Sequence, residues 1–211
     1  MHDTGEIRTS IRDYQAGLLK LLENLSYREL ESLIQLLESA YTEGRRVFVV
    51  GNGGSAATAS HMACDLAKTV LGPAPQRVER RFRIMALTDN VPLITAYGND
   101  IEYASVFSEP LRNLAERGDI LIAISASGNS ANIVEVVAAA RTLSLKTVGL
   151  LGFDGGEVGT MVDTAIIIPS DNYGYVEDLH MILVHIITDY FKRRLAARSE
   201  TDMSSPSEST V

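Results

Sequence analysis

The sequence predicts an α/β fold: one doubly wound, flavodoxin-like domain with a five-stranded parallel sheet, N-terminal helices and a long C-terminal helix. Three observations carry this. Short, almost wholly apolar runs alternate with helix-like stretches, the pattern of parallel strands covered on both faces. Two of those runs end in small-residue loops that open directly into helices, Gly51-Asn52-Gly53-Gly54-Ser55 and Ser125-Ala126-Ser127-Gly128-Asn129-Ser130. Right-handed crossovers leave few topologies, and a flavodoxin-like order sets strands one and three side by side at the switch point, with both loops in one crevice.

Along the chain, Leu18, Leu21, Leu22 and Leu25 recur at helical spacing, and Leu30, Leu33, Ile34, Leu37 and Tyr41 repeat it after a break at Asn24-Leu25-Ser26. Ser26 followed by Glu29 reads as a capping box, and Gly44 ends the second helix. Strands are expected at Arg46 to Val50, Arg83 to Leu87, Ile120 to Ile124, Thr147 to Leu151 and Thr164 to Ile168, with a helix from Asn129 to Leu143 among the connections. The last helix is expected from Val176 to Leu195, with Leu179, Ile182, Leu183, Ile186, Ile187, Tyr190 and Phe191 on more than one face. That is more apolar surface than a single domain of this kind needs, and oligomerisation would use it. Residues 1–197 form the expected domain, and the polar, low-complexity stretch 198–211 reads as a disordered tail.

The two loops are suited to anions. Glycines let the backbone approach a ligand, and unpaired N–H groups at a helix start point towards it. Ser125, Ser127 and Ser130 add three hydroxyls that can donate to a phosphate. Neither loop is a Walker A motif, and the first lacks G-x-G-x-x-G spacing, so a sugar phosphate fits better than a nucleotide. The plainer alternative for each loop is a strand–helix turn with a Ser cap.

A formal net charge of −8 argues against a nucleic-acid-binding surface. The longest apolar runs are strand-sized, so no membrane span is expected, and a single cysteine, Cys64, excludes an internal disulfide framework. The cytoplasm is the expected location. Arg77, Arg80, Arg81 and Arg83, interrupted by Glu79, form a basic run that is either a solvated segment or a rim attracting a phosphorylated sugar.

His61 and Asp65 lie four apart after the first loop and share a helix face, so they can meet one metal or one substrate atom, or simply pair with each other. Lys68 continues that stripe as a salt-bridge partner or a guide for substrate. In the last helix Glu177 and His180 share a face, while His185 points about 140° away from His180. Spacing alone leaves both histidines as packing residues.

The pair G-N-G-G-S and S-x-S-G-N-S resembles the sugar isomerase (SIS) domain, and in particular the phosphoheptose isomerases, over about residues 10 to 195. The resemblance implies a homotetramer with sites near subunit boundaries. It puts proton transfer on Asp65 and His185, the later histidine of H-x-x-x-x-H, and a zinc or other divalent metal on His61, Asp65, Glu177 and His185. Asn52, Gly53, Gly54, Ser55 and Asp89 fall near the sugar, and Ser125, Ser127 and Ser130 at the phosphate; Asp89 is equally a turn or cap aspartate. Two departures stand out, Asp65 where the family has Glu and Glu177 where it has Gln. An ideal helix separates residues 177 and 185 by about 12 Å, so sharing one metal requires a non-helical lead-in at Glu177 or ligands from more than one subunit.

The expected activity is therefore conversion of sedoheptulose 7-phosphate to a heptose 7-phosphate. The alternatives are isomerisation of another phosphosugar, or a non-catalytic SIS protein that binds a phosphosugar or docks a replication initiator. Members of that last kind lack the acid and the later histidine that are present here as Asp65 and His185.

Overall fold

The computed structural model describes residues 4–73 and 80–204, with side chains to residue 197. Helices α1 (Thr4–Glu23) and α2 (Tyr27–Glu43) lead into β1 (Arg46–Gly51) and α3 (Gly54–Ala67). Then come β2 (Arg83–Ala86), α4 (Val91–Asp100), α5 (Ser108–Leu114), β3 (Ile120–Ser125), α6 (Ala131–Thr142), β4 (Lys146–Gly152), α7 (Gly156–Met161), β5 (Thr164–Ile168) and α8 (Tyr173–Ser204). The strands form one parallel sheet in the order β2-β1-β3-β4-β5, the topology expected from the sequence.

Side chains alternate across the strands, so each strand feeds two cores. Val47 and Val49 of β1 join Ile120, Ile122 and Ile124 of β3 under α2, α3 and α8. Phe48 and Val50 join Leu121 and Ala123 on the opposite face, under α5, α6 and α7. The helix from Tyr27 is started differently from the expected capping box. The Ser26 hydroxyl bonds the Glu29 carboxylate instead of a backbone N–H. Gly44 closes α2 in the left-handed region, at φ 70°, as a C-terminal glycine should.

Helix α8 starts three residues before the expected Val176 because the Asn172 carboxamide accepts the N–H groups of Gly174 and Tyr175, capping its first turn. It continues past Leu195 to Ser204, and residues 205–211 of the expected tail lie outside the described residues. Helix α1 rests on the start of α8, with the Tyr14 hydroxyl 2.8 Å from Asp178 Oδ2 and the Tyr14 and Tyr175 rings 4.6 Å apart. None of its residues is buried, and Ile7, Ile11 and Leu19 stay more than half exposed. Arg77 and Glu79 of the basic run lie outside the described residues. Arg83 begins β2 and donates to the Gly44 carbonyl, at the end of the sheet opposite the two loops. Among the described residues no helix is long and apolar enough to cross a membrane.

His180, fully buried on α8, joins that helix to the sheet: its Nε2 lies 3.1 Å from the Leu151 carbonyl at the end of β4. A carbonyl only accepts, so Nε2 carries the proton, and Nδ1 is buried without a partner. Burial pushes the pKa down to about 4, against a weaker opposing effect of the Leu151 bond. The folded state thus holds this imidazole neutral where an unfolded chain would protonate it. Its contribution to stability is complete above pH 6.5, falls as the pH drops towards 4, and changes no further below that. The loss over this window is about 3 kcal/mol at 1.36 kcal/mol per pKa unit. Urea unfolding of wild type and H180Q at several pH values checks this: the wild type should lose stability more steeply between pH 6.5 and 4, and parallel curves would refute it.

Candidate active site

Register brings the loops together. Gly51, at the end of β1, pairs with Ile124, next to the end of β3. Asn52 and Asn132 then exchange two side-chain hydrogen bonds, 2.8 and 2.9 Å, tying the first loop to the first turn of α6. Asn132 is 2% exposed, so it is a structural brace that motif reading missed. No sequence periodicity marks such a residue, whose partner is 80 positions away. Asn52, expected near the sugar, has its carboxamide committed to this bridge, and Tyr103 donates to the same Oδ1 at 3.4 Å.

The second loop is pre-shaped by its own hydroxyls. Ser125 Oγ accepts the N–H of Gly128 at 3.1 Å, and Ser127 Oγ accepts that of Asn129 at 3.3 Å. In both bonds the oxygen accepts, leaving the hydroxyl proton available for an incoming anion. Ser130 sits half-buried at the start of α6, and its side chain makes no capping bond. Gly128 has φ 64°, and a Cβ there would come within 2.1 Å of the Gly155 carbonyl oxygen, so only glycine fits. Helix α7 braces the outside of the loop through Val158 N–H to the Gly128 carbonyl and Glu157 N–H to Asn129 Oδ1.

Around the first loop, Gly53 and Gly54 are exposed and Ser55 is buried in the first turn of α3. Glu177 lies in the second turn of α8 and faces this point: a Cβ on Gly54 would lie 2.6 Å from Glu177 Oε2. The lead-in at Glu177 is therefore helical. Asp89 is bound by the Ser60 hydroxyl of α3, next to His61, and the cap of α4 is Asn90, whose Oδ1 accepts the Leu93 N–H at 3.1 Å.

The groups expected to transfer protons meet between α3 and α8. His61 Nε2 is 3.0 Å from His185 Nε2 and 3.3 Å from Asp65 Oδ2, with the two rings edge to face at 5.1 Å. Both histidines are exposed and Asp65 is buried beneath them. His61, Asp65 and His185 form a metal-type cluster with donor atoms within 4.8 Å of one another, and Glu177 stands outside it. The donor chemistry suits a first-row divalent cation. Two imidazole nitrogens on one tetrahedral ion are about 3.3 Å apart, close to the 3.0 Å separation here. Lys68 is the exposed residue closing α3, and the Asp65 carboxylate has His61 beside it, at 3.3 Å. His180, by contrast, belongs to the core.

The SIS-domain family model matches residues 12–152. A phosphoheptose isomerase of Geotalea daltonii is 35% identical over 191 residues, spanning 90% of this chain and 96% of that one. The solved phosphoheptose isomerase of Neisseria gonorrhoeae superposes with a TM-score of 0.79 at 28% identity, over 89% of this chain and 99% of that one. That of Francisella tularensis gives 0.78 at 28% identity, over 92% and 100%. Matched by the family model over residues 12–152 and by these relatives over nearly its whole length, the chain belongs to the SIS-domain family, in the phosphoheptose isomerase branch.

Proposed function

We propose that the protein is an aldose–ketose isomerase that converts sedoheptulose 7-phosphate to D-glycero-D-manno-heptose 7-phosphate, working as a homotetramer in the cytoplasm. The observation that carries this reading is the meeting of Asp65 and His185, a carboxylate and an imidazole from different helices, in one cluster whose imidazoles are exposed. The names of the relatives support the choice of substrate.

In the ketose the carbonyl is at C2, and the proton to be moved is on C1. Asp65 takes that proton, leaving an enediolate across C1 and C2, and returns it to C2. His185 moves a proton from the C1 oxygen to the C2 oxygen, so the reaction consumes no net protons. The seryl hydroxyls of the second loop and the N–H groups at its helix start hold the phosphate, and Ser55 and Asp89 flank the sugar. His61, Asp65 and His185 would hold a divalent metal, zinc being the proposed ion, which when bound polarises the carbonyl oxygen. Support for self-association comes from α1, with no buried residue along its twenty residues. Ile186 and Tyr190 add exposed apolar surface on α8. Light scattering should give four times the chain mass; a monomer at assay concentration would refute the assembly.

A second reading, isomerisation of another phosphosugar, draws on the short acid at Asp65. Assays over a panel of ketose phosphates, with and without chelator, separate the two, and a wild type inactive on all of them would leave only a binding role.

S127L should fill the phosphate loop and raise KM roughly 10- to 100-fold, the worth of one or two kcal/mol-scale hydrogen bonds to a charged group. Unchanged kinetics in a folded variant would remove this loop from the site. D65N should abolish turnover while keeping substrate affinity, and H185Q should lower kcat by about 10²–10⁴. Full activity of D65N on every substrate of the wild type would show that Asp65 is not the base.

A further inference from the structure

Thr188 lies three residues past His185 on α8 and is 6% exposed. Its hydroxyl oxygen is 3.2 Å from Asp65 Oδ2 and 2.8 Å from the Val184 carbonyl oxygen of its own helix. The contacts that Asp65 makes with Thr188 and with His61 both fall on Oδ2, which leaves Oδ1 for a substrate proton. From this geometry we infer that Thr188 is a positioning residue for the general base, fixing the Asp65 carboxylate in the orientation from which it takes the carbon-bound proton. The inference rests on the isomerase reading of the site.

The physical need is specific to a short acid. The terminal torsion of aspartate has a broad, weakly defined preference, so rotamer energetics alone do not fix the carboxylate plane. Threonine in a helix divides between two first-torsion rotamers; here the hydroxyl sits 2.8 Å from the Val184 carbonyl oxygen, in one of them, and is a fixed point against which that plane can be set. The hydroxyl has one proton and two acceptors within reach. The Val184 carbonyl already receives the backbone N–H of residue 188 in the helix ladder, whereas an ionised carboxylate is the stronger acceptor. While Asp65 is charged, the Thr188 proton belongs on Oδ2. Once the carboxyl carries the proton taken from C1 on Oδ1, Oδ2 is still an acceptor, so the Thr188 hydroxyl goes on donating to it. The same contact therefore serves the base before and after proton removal, and Asp65 keeps its place until the proton is returned to C2. A threonine needed for packing alone would use only its methyl group and the bond to its own helix.

Two substitutions separate these roles. T188V keeps the branched shape and removes the hydroxyl; T188S keeps the hydroxyl and removes the methyl. T188V should lower kcat roughly 10-fold or more, as for a reacting group out of place, with KM unchanged within about twofold, while T188S stays near the wild type. A readout independent of turnover is the carboxyl ¹³C resonance of Asp65, assigned by its loss in D65N: it should shift in T188V and hold in T188S. Turnover of T188V at the wild-type rate, a T188S as slow as T188V, or a resonance indifferent to the hydroxyl would each overturn the inference while the isomerase reading stands. A wild type inactive on every ketose phosphate would overturn that reading, and this role with it.

Discussion

The parallel pairing of β1 with β3 is the constraint on which the site depends. Those two strands end within one residue of each other, Gly51 opposite Ile124, and every later feature uses that coincidence. Because both strands are buried on both faces, the chain can leave them only at their ends, and at the carboxyl end it does so through two turns built of glycine and serine. A one-residue slip would exchange the two core faces of a strand and separate the Asn52–Asn132 bridge, so the hydrophobic cores and the polar crevice enforce the same register.

Helix α8 supplies what the sheet cannot. It crosses α3 on the face that carries α2, and along its length it does three separate jobs. Near its start it places Glu177 against the first loop, one turn on it docks through His180 to the end of β4, and two turns on it brings His185 over Asp65. The docking contact is a neutral donor to a backbone carbonyl. It involves no net charge in a core where a charged partner would carry a large desolvation cost. The cluster of His61, Asp65 and His185 can then be polar, with both imidazoles exposed, because its position is set by apolar packing beneath it, through Leu179, Leu183 and Ile187.

Much of this was legible in the sequence. The five strands could be found because each is a short apolar run with turn residues at its ends, and their order followed from handedness and the two loops. His61, Asp65 and His185 were named from the residues and the family resemblance, and the structure brings their donor atoms within 4.8 Å of one another. The parts that escaped are those whose signal is tertiary. Nothing near Asn132 announces a partner at Asn52, and Thr188 is one more β-branched residue in an apolar helix until α3 is packed against it. The early start of α8 was hidden by Tyr173-Gly174-Tyr175, which reads as a break unless Asn172 is recognised as its cap. Spacing alone left open whether Glu177 has a non-helical lead-in; in the structure it lies inside α8, apart from the cluster of His61, Asp65 and His185 within this chain.

The contact between Gly54 and Glu177 also couples the first loop to α8. A residue larger than glycine at position 54 would overlap the carboxylate of the residue 123 positions later. The overlap falls on the far end of a flexible side chain, so a new side chain at 54 would displace the carboxylate rather than the backbone. What the glycine preserves is thus the place of a charge: a substitution in the loop would be felt first on another element, as a carboxylate turned away from the loop it faces.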